Sequence, residues 1–360
     1  MKEDKTHIFI IVLFIVMITV PQIAFWVIGK EDANISETEN RSLASKPEFK
    51  FENIEKYPKQ YEDYYNDHLP FREQLRGLWA KLNYDIFHTT IDNRILIGKD
   101  DWFFYRGDES IQQTQGISKL SQEEMKNICT RLQTNADKFK EQGIDTYILV
   151  LPNKENIYKE YLPDDIKIKQ TPTRTEELLE YIKNNSNIGV VYPKQELLDA
   201  KENYQVYRKY DTHWNSVGAL VGTIALEKAI NPNFSYNLKD IQVQTVKNNQ
   251  DGDLTKMNGL KGKVLEDTVT VKNFYPEIQY TIKSEDQCEE INSNATNEKT
   301  VLFIGDSFRY AMKDHLSKLY SKVVYIARDK YTKDVVEKVK PDIIVLEIVE
   351  RYSAEIGATL

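Results

Sequence analysis

The sequence predicts an α/β fold: a three-layer α/β/α domain with a mostly parallel sheet and a small β-rich insertion, carried behind one N-terminal transmembrane helix. Three observations predict it. From about residue 118 short apolar stretches alternate with helical ones, the rhythm of a parallel sheet covered on both faces. The stretch 146–151 is apolar without polar alternation, as a strand buried on both faces must be. Residues 8–28 are almost unbroken Ile, Val, Leu, Phe, Met and Ala, and a helix of about 20 residues crosses a hydrocarbon core of about 30 Å.

That first segment is read as an uncleaved anchor, residues 1–30. It is longer than the apolar region of a signal peptide, and Phe25, Trp26 and Val27 make a poor cleavage context, whereas Trp26 suits the membrane interface. Lys2 and Lys5 are offset by Glu3 and Asp4, so charge says little about orientation. Residues 31–90 form a polar stalk and a helical hairpin. Tyr57, Tyr61, Tyr64 and Tyr65 recur at helical spacing up to a Leu69-Pro70 break, and a second helix covers 71–87. Such a tyrosine stripe suits packing better than sugar stacking. Residues 95–97 and 102–105 read as a β-hairpin.

The α/β domain is assigned to 91–360. Ser121 with Glu124 is a capping-box signature for a helix ending at Gln142-Gly143. Strand 146–151 follows, then a helix near 172–184, strand 189–192, a helix at 193–201, and a longer helix at 216–230 capped by Asn215 or Ser216. Alternating apolar residues in 264–271 and 278–282 mark 240–283 as the β-rich insertion. The α/β rhythm then resumes: strand 300–305, helix 308–319, strand 323–327, helix 331–339 and strand 342–347.

With 360 residues, 41% hydrophobic, 29% charged and 11 prolines, the chain has material for a proper core. The net charge of −8 argues against non-specific nucleic-acid binding, which needs a positive surface. Cys129 and Cys288 fit either a disulfide or two separate thiols. The sequon Asn294-Ala295-Thr296 matters only in a glycosylating pathway.

Two segments carry chemistry. In the first, an apolar strand ends in Gly305-Asp306-Ser307-Phe308 and passes into a helix. A serine there has its hydroxyl at the strand's carboxyl end and its N–H at a helix N-terminus, where a developing oxyanion would be stabilised. A plain turn with an N-capping serine is the other reading of those residues. The second is Asp211-Thr212-His213-Trp214, just before a helix cap. Imidazole can take the serine proton, and a carboxylate on its other nitrogen fixes the tautomer. Metal binding by one histidine, with no second at ligand spacing, is disfavoured.

Together these segments resemble the SGNH-hydrolase-like polysaccharide O-acetyltransferases, the AlgJ/AlgX group of alginate O-acetylation. That group places a D-x-H-W segment upstream of the serine strand. Looser matches are Glu39-Asn40-Arg41, Asp67-His68-Leu69-Pro70-Phe71-Arg72, 98–105, Pro152-Asn153-Lys154, Gly252-Asp253-Leu254 and Glu350-Arg351, so the likeness runs over about 39–352. It implies an SGNH-like domain with Ser307 as nucleophile, His213 as general base and Asp211 as its orienter. Asn153 is a candidate oxyanion donor or, alternatively, a helix-capping turn. Trp214 stacks on a sugar or packs the histidine loop. Arg351 lies at the rim of the site or in an ion pair with Glu347 and Glu350. Asp67-His68 is read as a helix-end hydrogen-bonding motif.

The resemblance further implies an extracytoplasmic transferase of acetyl to an exopolysaccharide or cell-wall polysaccharide, fed by a polytopic membrane O-acyltransferase, with no metal or soluble cofactor. An acetyl esterase with the same three residues and a non-catalytic polysaccharide-binding scaffold are the other readings.

Overall fold

The computed structural model describes residues 2–27, 35–36, 41–275, 280–283, 287–295 and 297–359. Ile28, 31–34, 37–40 (with Glu39 and Asn40), Ile278 and Thr296 lie outside them, as does the side chain of Trp26. The chain divides into two compact units, Met1–Asp92 with Thr255–Val264, and Asn93–Leu254 with Leu265–Leu360.

The first unit is helical: α1 (Lys2–Val27), α2 (Tyr57–Asp67) and α3 (Arg72–Leu82). Within α1, Thr6–Phe25 is the one helix among the described residues long and apolar enough to cross a membrane. The tyrosine stripe packs: Tyr57 stacks on Tyr61, and Tyr64 is buried against Phe25. α2 stops where Pro70 removes a donor and Phe71 takes a left-handed φ of 63°. The Asp67-His68 pair closes that helix end, His68 Nδ1 lying 2.9 Å from Tyr64 O and Asp67 accepting from Ala44 N at 2.8 Å.

The second unit begins with the hairpin β1 (Ile95–Ile97) and β2 (Phe103–Tyr105), followed by α4 (Gln122–Lys140), β3 (Asp145–Leu151), α5 (Arg174–Asn185), β4 (Gly189–Val191), α6 (Lys194–Lys201) and α7 (Ser216–Ile230). Ser121 and Glu124 form the expected capping box, and Thr173 with Glu176 forms a second. Asn215 caps α7 through Val217 N and Gly218 N. Then come β5 (Val243–Asp251), β6 (Leu265–Val271), β7 (Tyr280–Lys283), β8 (Gln287–Ile291), β9 (Asn297–Gly305), α8 (Arg309–Leu316), β10 (Tyr320–Ala327), α9 (Asp334–Val339) and β11 (Ile343–Val349).

One seven-stranded sheet, ordered β4-β3-β11-β9-β10-β8-β7, forms the middle layer. The first five strands are parallel, and β8 and β7 extend them antiparallel. Successive strand residues point to opposite faces, and both faces are buried. Val301 and Phe303 join the core with α7 and α8, while Leu302 and Ile304 join that with α4, α5 and α9. This is why these strands lack polar alternation.

The predicted insertion is divided. β5 and β6 pair in a separate hairpin, whereas 280–283 is a strand of the main sheet. Its alternation therefore reports an edge strand rather than part of a small β subdomain. Residues 255–264, between β5 and β6, cluster with the helical unit instead. Cys129 on α4 and Cys288 on β8 are not joined in a disulfide.

Candidate active site

β9 ends at Gly305, and the next three residues are held by local bonds. The Asp306 carboxylate accepts from Phe308 N at 2.9 Å and from Val349 N at 2.8 Å, tying the turn to the end of β11. Asp306 N donates to buried Glu347 at 2.9 Å. Glu347 comes so close beneath Gly305 that a Cβ there would meet its Oε2 at 2.3 Å, so a side chain at this position would have to displace the Glu347 carboxyl. Arg309 covers the Gly305 and Asp306 carbonyls at 3.1 and 2.6 Å. Ser307 projects from this clamped turn into solvent, and its N–H makes no hydrogen bond among the described residues.

The histidine loop is closed by Arg208 N donating to His213 O at 3.0 Å and by a bridge between Tyr207 and Trp214. His213 Nε2 lies 2.7 Å from Ser307 Oγ, and its Nδ1 lies 2.7 Å from Asp211 Oδ1. Asp211 Oδ1 also accepts from His213 N at 2.9 Å. Its Oδ2 takes Asp253 N at 3.0 Å and Arg208 Nη1 at 2.7 Å, so every lone-pair direction of this buried carboxylate is used. Asp253 approaches His213 Nδ1 as well, at 3.4 Å, and is itself held by Thr212 N at 2.8 Å. Buried Lys154 donates to the backbone carbonyls of Arg208, Lys209 and Asp211 at 3.2, 3.2 and 2.6 Å, fixing the loop from below.

The electrostatics follow from these neighbours. Burial opposes the imidazolium of His213, but the Asp211 carboxylate and then Asp253 outweigh it, so its pKa is raised above 6.5. Burial opposes the Asp211 carboxylate too. His213 and Arg208 overcome this and hold it well below the usual carboxylate range. Burial pushes Lys154 down to about 8 despite Glu155 and Glu266 nearby.

Ligand atoms of Asp211, His213 and Asp253 lie within 4.8 Å of one another, a spacing compatible with a cation. Their electron pairs are already engaged, however: Arg208 supplies the positive charge at Asp211, and Thr212 N with Thr212 Oγ1 holds Asp253.

The remaining predicted residues fall differently. Trp214 is 1% exposed, donates through Nε1 to Phe308 O at 3.2 Å and lies edge-on to the Phe308 ring at 5.5 Å. It cannot stack on a sugar; it joins the histidine loop to the serine turn. Against it lie Gly218 and Gly222, where a Cβ would sit 2.8 and 2.6 Å from the Trp214 side chain. Asn153 is fully buried at the end of β3: its N donates to Glu350 at 2.8 Å and its Oδ1 accepts from Arg351 N at 3.3 Å. Its side chain makes no capping bond to the short helix that follows, and its Nδ2 has no partner among the described residues. Arg351 does not pair with Glu347 or Glu350. Its guanidinium lies 5.4 Å from the Tyr105 ring and 5.2 Å from that of Tyr352, while Glu350 is taken by Asn153 and Asn156.

Ser307 opens onto a cleft of about 870 Å³ at the carboxyl ends of β9, β10 and β11, where ligands of parallel sheets bind. Arg309, Tyr310, Arg328, Tyr331 and Tyr352 line it, and Tyr310 is 62% exposed with Arg309 stacked on its ring.

Residues 95–330 match the family model for the SGNH hydrolase-like domain of acetyltransferase AlgX, well over half of the chain. The chain belongs to this AlgX family. Among curated proteins it is similar to the probable alginate O-acetylase AlgJ of Pseudomonas syringae, 25% identical over 177 residues, covering 49% of this chain and 43% of that one. The AlgJ of Pseudomonas putida is 26% identical over 179 residues, with the same shares of 49% and 43%. The matched region thus spans less than half the length of these relatives. A DHHW family protein from Eubacterium siraeum shares the fold, with a TM-score of 0.53 at 15% identity over 74% of this chain and 95% of that one. The O-acetyltransferase domain of Pseudomonas putida AlgJ aligns with a TM-score of 0.48 at 15% identity, over 74% and 99% of the two chains.

Sequence reasoning within the AlgX family pattern missed four residues of this site. Arg208 and Asp253 flank Asp211 and His213, Lys154 holds their loop, and the Phe308 ring lies 4.7 Å from the His213 ring. Asp253, Lys154 and Phe308 stand in segments that carried the resemblance, which was their only signal. Arg208, three residues before Asp211, had none.

Proposed function

We propose that the chain is an extracytoplasmic O-acetyltransferase that moves acetyl through a Ser307 acyl-enzyme onto a hydroxyl of an exopolysaccharide or cell-wall polysaccharide. The observation that carries this reading is the unbroken relay from exposed Ser307 through His213 to buried Asp211, with both links at 2.7 Å. Ser307 Oγ attacks the donor's acyl carbonyl while its proton passes to His213 Nε2. The carbonyl oxygen takes the negative charge and meets the unpaired Ser307 N–H at the start of α8. Asn153, the other donor expected from the sequence, is fully buried and does not line the cleft, so the Ser307 N–H is the donor proposed here. When the carbonyl re-forms, the bond to the donor's leaving group breaks and His213 returns the proton to it. A sugar hydroxyl then gives its proton to His213, attacks the acyl-serine and leaves as the acetyl ester, restoring Ser307.

The exposed Tyr310 and the neighbouring Tyr331 and Tyr352 suit a sugar chain lying along the cleft. α1 anchors the chain once through the membrane, and a polytopic O-acyltransferase delivers acetyl to the outer side. None of these steps calls for a metal or cofactor. The test incubates the full chain in detergent with an activated acetyl ester, with and without oligosaccharides, and follows acetylated sugar, free acetate and acetylated Ser307 by mass spectrometry. Acetylated sugar that disappears in Ser307→Ala supports the transferase. Serine-dependent acetate alone makes it an esterase, and turnover that ignores Ser307 sinks the mechanism.

A further inference from the structure

In the helical unit, α3 buries its small residues and leaves its large apolar ones outside. Gly77 and Ala80 face inward, where a Cβ on Gly77 would lie 3.3 Å from Gly259 O. Arg76 donates to Met257 O on the same side. Leu75, Leu78, Trp79 and Leu82 are 40–66% exposed, and so is Ile86 on the π-helical turn Asn83–Phe87 that continues the helix. Residues spaced three, four, seven and eleven apart lie along one side of a helix. A stripe of this kind ordinarily faces a core, so here something else covers it.

The same unit carries an observation that points to the cover. Phe25, the last residue of the apolar stretch Thr6–Phe25, is 8% exposed, with its ring 4.8 Å from that of Tyr65 and 6.5 Å from that of Tyr64. α2 therefore lies against the end of α1 where a spanning helix leaves the hydrocarbon, and α3 follows directly after the Leu69-Pro70 break. We propose that the exposed stripe of α3 lies in the interfacial layer of the bilayer that α1 crosses, with Leu75, Leu78, Trp79, Leu82 and Ile86 set among lipid headgroups and upper acyl chains. A helix with one such apolar face binds a membrane in this way, and tryptophan favours that depth. The inference rests on the anchor reading of α1.

The test uses the full chain with Cys129→Ala and Cys288→Ala, reconstituted in vesicles of phosphatidylethanolamine and phosphatidylglycerol. Single cysteines at Leu78, at Ile15 in the span, or at exposed Lys126 on α4 carry an environment-sensitive fluorophore. Nitroxide lipids labelled near the headgroup should quench the Leu78 probe, and iodide should quench it several-fold less than the Lys126 probe. If Ile15 is quenched by lipid while Leu78 behaves like Lys126, the stripe faces water and the proposal is overturned. A Leu78 probe shielded from both quenchers is covered by protein, a second copy or a membrane partner, which also overturns it. An Ile15 probe untouched by nitroxide lipids removes the anchor reading first, and this inference with it.

Discussion

Asp211→Asn perturbs the relay at the point the structure constrains most. Both carboxylate oxygens face donors: Oδ1 meets His213 Nδ1 and His213 N, and Oδ2 meets Arg208 and Asp253 N. An amide must turn its NH2 toward one of these. Turned toward Arg208 it faces a cation; turned toward His213 it holds Nδ1 as an acceptor, leaving the proton on Nε2, where Ser307 needs a base. Where a single carboxylate serves this role, the change costs about 10⁴-fold, or roughly 5.5 kcal/mol. Here Asp253 lies 3.4 Å from Nδ1, against 2.7 Å for Asp211. Coulomb attraction falls inversely with distance, so Asp253 retains about four-fifths of the pull on an imidazolium. Asp211→Asn should therefore lose only about 10²- to 10³-fold in kcat/KM, about 3–4 kcal/mol. Asp253→Asn should lose less than tenfold, and the double variant about 10⁴-fold or more. The assay is release of p-nitrophenol from its acetyl ester by the full chain, with thermal melting as the control for folding. Wild-type activity in Asp211→Asn would refute the relay, and a double variant no worse than the single one would refute the supporting carboxylate.

Other outcomes follow from the same geometry. Ser307→Ala should abolish acyl transfer while the melting temperature stays within a degree or two, since an exposed hydroxyl contributes little to the fold; full activity would remove Ser307 from the chemistry. Activity should rise with pH, because His213 must lose its proton to act as base. The carboxylates hold that proton on, so the midpoint lies above 6.5 and should move down toward it in Asp211→Asn, as a pH profile of kcat/KM will read. Trp214→Ala should cost about 3–5 kcal/mol in denaturant unfolding by emptying the contact between loop and serine turn. A change below about 1 kcal/mol would mean that the ring is not what joins them. Prolonged dialysis against EDTA should leave acetyl-ester turnover unchanged, because Arg208 supplies the charge at Asp211; loss of activity restored by a divalent cation would assign Asp211, His213 and Asp253 to a metal.

Local chemistry wrote much of this protein legibly. Ser121 and Glu124 announced α4, Asn215 announced α7, and the unbroken apolar strands announced a sheet buried on both faces, because capping and side-chain periodicity act over a few residues. The D-x-H-W loop and the Gly-Asp-Ser turn were visible for the same reason. Each places its functional groups within four residues, the serine just past a strand's end and the histidine just before a helix cap.

What the sequence could not determine concerns partners brought together by the fold. Ser307 and His213 are 94 positions apart, and only the packing of the histidine loop onto the serine turn, through Trp214 and Phe308, brings them to 2.7 Å. Trp214 reads equally as a sugar platform or a core residue until α7 and α8 close over it. Arg351 reads as an ion-pair partner of Glu347 and Glu350 until Asn153 and Asn156 are seen to occupy Glu350. Edge strand 280–283 cannot be told from an insertion hairpin, since alternation along a segment does not say which sheet it joins. Periodicity is a property of one segment, whereas pairing and burial belong to two segments at once, and so they were decided only by the tertiary structure.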